Sequence, residues 1–90
     1  MAKAIVDPNE LRRFANDLKR FNTELSRSMT TIQARFNALG DTWRDQEQVR
    51  FAEEFDQALR VLARFSKVAD EQIPYLLRKA DRAEEYLNQR

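Results

Sequence analysis

A single short stretch, residues 39–45, divides this chain into two long, regularly patterned halves. The stretch contains the only glycine, Gly40, and the only tryptophan, Trp43, of the 90 residues. Glycine favours chain reversal because its backbone is less restricted than that of other residues, and both halves have the apolar periodicity of amphipathic helices. The sequence therefore predicts an all-α fold. Residues 1–90 are expected to form one domain, a two-helix antiparallel hairpin folded about this turn.

The N-terminal end of the first helix has a complete start sequence. Asp7 is suited to the N-cap, and Pro8 is suited to the first helical position, where the N–H that proline lacks has no helical partner in any case. Glu10 follows the cap by three residues and can reach back to it, while Val6 and Leu11 can pack together across the first turn. The sequence therefore predicts that helix one begins at about residue 8.

A seven-residue apolar repeat runs the length of helix one. A repeat of this period, with companions that shift by one position, is typical of a helix that wraps a partner at a shallow angle. Gly40 follows the last apolar residue, at the position where a left-handed C-terminal cap favours glycine. Helix one is therefore predicted to span about 8–39. The repeat consists of Leu11, Leu18, Leu25, Ile32 and Leu39, accompanied by Phe14 and Phe21 and then by Met29 and Phe36.

Helix two follows the turn, and three residues are candidates for its N-cap. Asp41, Thr42 and Asp45 each have a side-chain oxygen that can accept a hydrogen bond from a backbone N–H. The sequence does not choose between them. The turn is predicted to cover 40–45 and helix two to span about 46–88. The apolar stripe of helix two consists of Phe51, Phe55, Ala58, Leu62, Phe65, Ala69, Ile73, Leu76, Ala80, Ala83 and Leu87.

Pro74 lies inside the predicted second helix. It cannot donate a hydrogen bond to the carbonyl of Asp70, and it disfavours the helical conformation at Ile73. The apolar stripe resumes in phase beyond it after a four-residue insertion in the repeat, and Pro74 shares its outward side with Arg60. We therefore expect a kinked but continuous helix two. A break followed by a short third helix over 75–88 is the alternative.

Helix two is apolar over more of its circumference than one neighbouring helix can cover. About four of its seven heptad positions are largely apolar, which is the width of a helix with two neighbours. A large apolar side chain contributes roughly 1.5–3 kcal/mol when fully buried, while a folded domain is stable by only about 5–15 kcal/mol. Several half-exposed side chains therefore decide whether the chain folds alone. The flanking residues are Leu59 and Ile73 on one side and Val61, Val68 and Tyr75 on the other.

This excess of apolar surface predicts association with another chain. The simplest form is a two-fold homodimer in which the hairpins form a four-helix bundle. A heterodimer with a related helical hairpin meets the same requirement. The alternative is a monomer whose C-terminal segment folds back over the exposed flank of helix two. The predicted dimer interface consists of Leu11, Phe14, Leu18, Phe21, Leu25, Phe55, Leu59, Leu62, Phe65 and Val68.

The composition of the chain argues against catalysis. The chain has no histidine and no cysteine, so it lacks the commonest general base, the commonest metal ligand and the thiol nucleophile. Adjacent carboxylates such as Glu53 and Glu54 point about 100° apart on a helix, so they do not share one acid–base site. The sequence therefore predicts that the protein is not an enzyme and that it needs no cofactor and no metal ion.

Charge and hydropathy bear on nucleic-acid and membrane binding. The net charge is +1, which gives no overall attraction to nucleic acid or anionic lipid, and no apolar run approaches a membrane span or a signal peptide. We therefore expect synthesis in the cytoplasm, no membrane insertion, and export, if any, without a cleaved signal peptide. Nucleic-acid binding is a minor alternative, suggested by two groups of basic residues on outward positions. These groups are Arg12, Lys19, Arg20 and Arg27, and Arg78, Lys79 and Arg82.

At the turn, the chain resembles the WXG-motif family, the small helical-hairpin proteins of type VII secretion. The resemblance extends over the whole chain and includes its length, its two long helices, the central Trp43, and an aromatic residue, Phe51, eight positions later. Two features depart from the family pattern. Asp45 occupies the position of the motif's glycine, and the family's C-terminal tyrosine with an acidic residue four positions later is not met. In this chain Tyr75 is followed at that distance by Lys79, and Tyr86 by Arg90.

The resemblance implies a function in secretion. It implies a non-enzymatic dimer with antiparallel hairpins and Trp43 at the bundle ends, acting as a secreted substrate or as an adaptor or partner for a larger effector protein. It also implies recognition by a membrane-anchored secretion ATPase.

Trp43 could close the end of the helix seam, contact a partner, or do both with its indole N–H free. The alternative is an intracellular oligomerisation or adaptor module unconnected with secretion. The turn motif consists of Gly40, Trp43, Asp45 and Phe51.

Overall fold

The computed structural model of the chain describes residues 6–89, so the N-terminal residues considered as a signal peptide and Arg90 lie outside the described part. The hairpin consists of two helices, α1 at Pro8–Leu39 and α2 at Gln46–Asn88. Side-chain contacts join the start of α1 to the end of α2, and the end of α1 to the start of α2, so the helices are antiparallel. The molecule is a rod of 68 × 20 × 15 Å. The predicted all-α hairpin is confirmed.

Asp7 and Pro8 take the positions in the start of α1 that the sequence predicts for them. The Asp7 side chain accepts a hydrogen bond from the backbone N–H of Asn9 at 2.9 Å, and the Asp7 carbonyl accepts from Leu11 at 3.0 Å. Pro8 occupies the first helical position and is buried. The helix then continues for 32 residues and ends at Leu39. Its apolar repeat ends at the same residue.

The predicted left-handed cap at Gly40 is wrong. Gly40 has φ −59° and ψ −18°, in the right-handed helical region, because the chain leaves α1 through further right-handed turns. The backbone N–H of Gly40 donates to the Asn37 carbonyl at 3.1 Å, and that of Trp43 donates to the Leu39 carbonyl at 2.8 Å. Glycine is favoured here by space rather than by handedness. A Cβ atom at Gly40 would lie 3.1 Å from the carbonyl oxygen of Asn37, which is a tight contact.

The N-cap of α2 is Asp45, the third of the three candidates. Its Oδ1 accepts a hydrogen bond from the backbone N–H of Gln48 at 3.0 Å. The helix then continues for 43 residues with Pro74 inside it. The prediction of a continuous helix is confirmed, and the alternative of a separate third helix is wrong. Because α2 is a single helix from Gln46 to Asn88, no described segment of it folds back to cover its own flank.

The seam between the two helices is built on small residues in the half of the hairpin far from the turn. The buried residues of α1 are Pro8, Ala15 and Asn22, at intervals of seven, and those of α2 are Ala69 and Ala80. No large side chain is fully buried anywhere in residues 6–89. The seam therefore buries the large apolar side chains of the two helices only in part.

Large apolar side chains remain exposed along one side of the hairpin. Phe21 and Phe65, one from each helix, are 52% and 45% exposed, and their rings meet edge to face with centroids 6.1 Å apart. Exposed apolar residues at helical spacing from these two extend the surface along both helices. Burial of apolar surface is the main driving force of folding. A single chain nevertheless leaves this surface exposed to solvent. The surface, named here the apolar face, consists of Phe14, Phe21, Ile32, Val61, Phe65 and Val68.

Candidate interaction surfaces

An open groove lies between the helices in the half of the hairpin nearer the turn. Its volume is about 540 Å³, and side chains from both helices line it. The large side chains here are half-buried or exposed, so they fill the space between the helices only in part. A groove of this kind can receive side chains from another helix, as holes receive knobs in a coiled coil. Its apolar lining residues are Leu25, Ile32, Phe55, Ala58, Leu59 and Leu62.

The residues predicted for a dimer interface fall into two groups. The half-buried group consists of Leu11, Leu18, Leu25, Phe55 and Leu59. The exposed group consists of Phe14, Phe21, Leu62, Phe65 and Val68. Exposure in the second group ranges from 38% at Leu62 to 55% at Phe14. The structure therefore places the first group within the hairpin's own seam, at least in part, and leaves the second group available to a partner.

Four aromatic rings close the seam at the turn. The ring centroid of Phe36 lies 5.1 Å from that of Phe55 and 5.6 Å from that of Phe51. Phe51 also stacks on Phe55 at 5.6 Å and lies 5.9 Å from Trp43. Trp43 is half-buried against this cluster, whereas Phe51 is 45% exposed. The tryptophan therefore plugs the end of the seam and leaves an exposed aromatic edge beside it.

Asp45 connects the tryptophan to the start of α2. The same Oδ1 atom that caps α2 also accepts a hydrogen bond from the indole Nε1–H of Trp43 at 3.0 Å. The expectation of a free indole N–H is therefore wrong, because the donor is used inside the turn. On the other side of the turn, Arg44 Nε donates to the carbonyl of Gly40 at 2.9 Å. Side chains thus hold the turn at both ends.

Arg12 does not belong to an outward basic surface, contrary to the sequence-based alternative. Its Nη2 lies 2.8 Å from Asp81 Oδ1 and 2.5 Å from Glu84 Oε1, both on α2. The hydrogen bond to Asp81 and, to a smaller extent, the one to Glu84 raise the pKa of Arg12. Arg20, from the same group of basic residues, pairs with Asp17 at 3.3 Å. These acidic partners reduce the positive field that phosphate binding requires.

Asn22 is a buried polar residue that sequence reasoning missed. Its side chain lies in the seam and is 4% exposed. Its Nδ2 donates to the carbonyl of Ser66 at 2.9 Å and to Asp70 Oδ1 at 2.7 Å. A search for apolar periodicity passes over an asparagine. The signal that could have revealed it is its register, since Asn22 lies seven residues after Ala15 and seven before Met29.

Within residues 6–89, no group of three or more His, Cys, Asp or Glu side chains is placed to hold a metal ion. Neither described helix is both long enough and apolar enough to cross a lipid bilayer. The surfaces that stand out in residues 6–89 are the apolar face, the groove beside it and the turn.

The sequence matches the family model for proteins of 100 residues with WXG over residues 4–86. The chain belongs to the WXG100 family. In this WXG100 protein the motif tripeptide is Trp43-Arg44-Asp45, so aspartate occupies the place of the glycine. Glycine has no side chain that could accept from the indole. The closure of the turn through Asp45 is therefore a consequence of that replacement.

Solved structures share the fold of this WXG100 protein. A proline-to-alanine variant of the secreted protein EsxB from Bacillus anthracis strain Sterne matches with a TM-score of 0.82 at 24% identity, covering 94% of this chain and 99% of that one. A selenomethionine-labelled form of EsxB matches with a TM-score of 0.76 at 25% identity, covering 98% and 100%. No curated protein matches the chain. The helical hairpin is thus common to this chain and EsxB.

Proposed function

We propose that this WXG100 protein acts in type VII secretion as a two-fold homodimer, either as a secreted substrate or as the adaptor or partner of a larger effector protein. The observation that carries the proposal is the apolar face, because six large side chains on one side of the hairpin stay exposed in a single chain. Membership of the WXG100 family and the likeness to a secreted protein support the link with secretion. The proposed role is binding rather than catalysis.

The layout of the apolar face favours a second copy of the same chain as the partner. Phe14 and Phe21 project from the half of the hairpin far from the turn, whereas the 540 Å³ groove lies in the half nearer the turn. A two-fold axis across the middle of the face lays the projecting rings of each copy over the groove of the other. The hairpins are then antiparallel, with their turns at opposite ends of a four-helix bundle. In the parallel arrangement, rings would meet rings and grooves would meet grooves.

Secretion is tested by following the protein in its host. The expected result is accumulation in the culture supernatant, without markers of cell lysis, and loss of that accumulation when the secretion ATPase is deleted. Retention inside the cells in both strains would overturn the secretion proposal. Dimerisation measured on the purified chain would then leave the intracellular oligomerisation module as the function.

The turn is the surface proposed for recognition by a secretion ATPase or effector. Phe51 is exposed beside Trp43 at the tip of the hairpin, where a partner can reach both rings. Trp43→Ala should reduce export more than it reduces helicity, measured by circular dichroism on the purified variant. If the variant is instead unfolded, Trp43 serves only to close the seam, and the proposed recognition role fails.

A further inference from the structure

We infer that Asn22 is a specificity-determining residue, which fixes the rotation of α1 about its axis so that Phe14 and Phe21 face the partner copy instead of the hairpin's own seam. The consequence for pairing rests on the proposed homodimer. The rotation itself is a property of one hairpin, and it can be measured whether or not the chain pairs.

One atom of the buried Asn22 amide, its Oδ1, lies in an unfavourable environment. It is 4% exposed, and its Oδ1 is buried without a hydrogen-bond partner in the described part of the chain. A buried acceptor left unsatisfied costs roughly 1–3 kcal/mol, a cost that an apolar side chain of similar size avoids. In coiled coils, a polar residue at such a position fixes register and pairing at some expense of stability. Asn22 matches that description.

The hydrogen bonds of Asn22 are directional enough to fix a rotation. Nδ2 donates both to the Ser66 carbonyl and to Asp70 Oδ1, two acceptors one turn apart on α2. A side-chain atom about 5–6 Å from the helix axis moves about 3 Å when the helix turns by roughly 30°. Bonds of 2.9 and 2.7 Å do not survive such a movement. The amide therefore holds α1 within a narrow range of angles.

The buried alanines of the seam in this half of the hairpin provide little resistance to rotation, and the ion pairs of Arg12 with Asp81 and Glu84 are made by long side chains that can follow it. Ala15 and Ala69 present single methyl groups, which pack similarly over a range of angles. Phe14 and Phe21 precede Ala15 and Asn22 by one residue, about 100° around the helix. Turned inward, each ring would gain part of the roughly 1.5–3 kcal/mol that full burial provides. The rotated hairpin is therefore a real competitor, and it would hide the rings that the dimer uses.

Asn22→Leu tests the inference. The thermal midpoint should stay the same or rise, while the distance between α1 and α2 labels shifts by at least about 3 Å or its distribution broadens. The chain has no cysteine, so cysteines at the exposed positions Arg20 and Lys67 take spin labels without side reactions. Labelled chain diluted into unlabelled chain reports distances within one hairpin. Thr23→Leu, at the exposed neighbouring position, is the matched control and should change neither distance nor pairing.

The dimer dissociation constant provides the second measurement. Asn22→Leu should raise it at least about tenfold, equivalent to about 1.4 kcal/mol, although the hairpin itself is no less stable. A merely structural role would instead lower the thermal midpoint and weaken pairing in proportion. Asn22→Gln keeps the amide and should recover the wild-type distance and part of the affinity.

Asp70→Ala covers the case in which Asn22→Leu does not fold, because Asp70 is exposed and its loss leaves no cavity. Removal of this acceptor should broaden the distance distribution. An unchanged distance in either variant would overturn the inference. A wild-type chain that stays monomeric would refute the proposed homodimer, while the distance measured in that monomer would still decide whether Asn22 sets the rotation.

Discussion

Val61→Asp places a charge at the most exposed residue of the apolar face, so the substitution should cost the isolated hairpin little stability. Val61 is 68% exposed, and full burial of a valine provides roughly 1.5–3 kcal/mol, so covering the exposed part provides about 1–2 kcal/mol. A two-fold interface contains the residue twice. The dimer should therefore lose at least about 2–4 kcal/mol, which raises the dissociation constant roughly 30- to 700-fold. Desolvation of the carboxylate adds to this loss.

Val49→Asp is the matched control for this prediction. Val49 is 56% exposed on the same helix, but it lies twelve residues earlier, about 120° around α2 from Val61 at roughly 100° per residue. Its variant should leave the dissociation constant within about twofold. Sedimentation velocity over a concentration series measures both constants, and circular dichroism compares the helicity of the variants. If both variants weaken the dimer equally, or if neither weakens it, the placement of the interface on the apolar face is refuted.

Three further substitutions test other parts of the hairpin. Asp45→Ala removes the α2 cap and the acceptor of the Trp43 indole, so the free energy of unfolding should fall by about 1–3 kcal/mol and tryptophan fluorescence should shift. Asp41→Ala, in the same turn, is the control. An equal effect of Asp41→Ala would contradict the assigned bonds. Pro74→Ala restores a helical hydrogen bond at an exposed site, so it should raise the free energy of unfolding, measured by urea denaturation, by about 1–3 kcal/mol. A decrease in the free energy of unfolding would show that the packing of α2 needs the proline. Arg12→Gln should lower the thermal midpoint by roughly 1–5 °C in low salt and by less in 1 M salt, since exposed ion pairs are screened; a loss independent of salt would assign Arg12 a packing role.

The outline of the fold was predictable because it follows from local chemistry. Asp7 and Pro8 specify a helix start through bonds within one turn, and the apolar repeat runs to Leu39 without interruption. The continuity of α2 through Pro74 followed from a stripe that resumes in phase on the far side. In each case the pattern repeats over about two helical turns or less, so a short stretch of sequence is enough to recognise it.

The features that the sequence did not reveal depend on contacts between distant residues or on choices within the turn. Asn22 is an ordinary surface residue by type, and its burial depends on Ser66, 44 positions later. Arg12 finds Asp81 only after the hairpin sets the register. Gly40 is compatible with either handedness, and the close Asn37 carbonyl, not the sign of φ, is what favours a glycine there. The capture of the indole by a nearby carboxylate depends on the same turn geometry.

Sedimentation equilibrium of the unmodified chain at micromolar concentration tests most directly whether one hairpin carries more apolar surface than it can bury and so pairs with a second copy. The expected mass is twice the 10.7 kDa of the chain, and dilution should lower both the measured mass and the thermal midpoint, because pairing stabilises the folded state by mass action. A single 10.7 kDa species at every concentration, with an unchanging thermal midpoint, would contradict pairing through the apolar face.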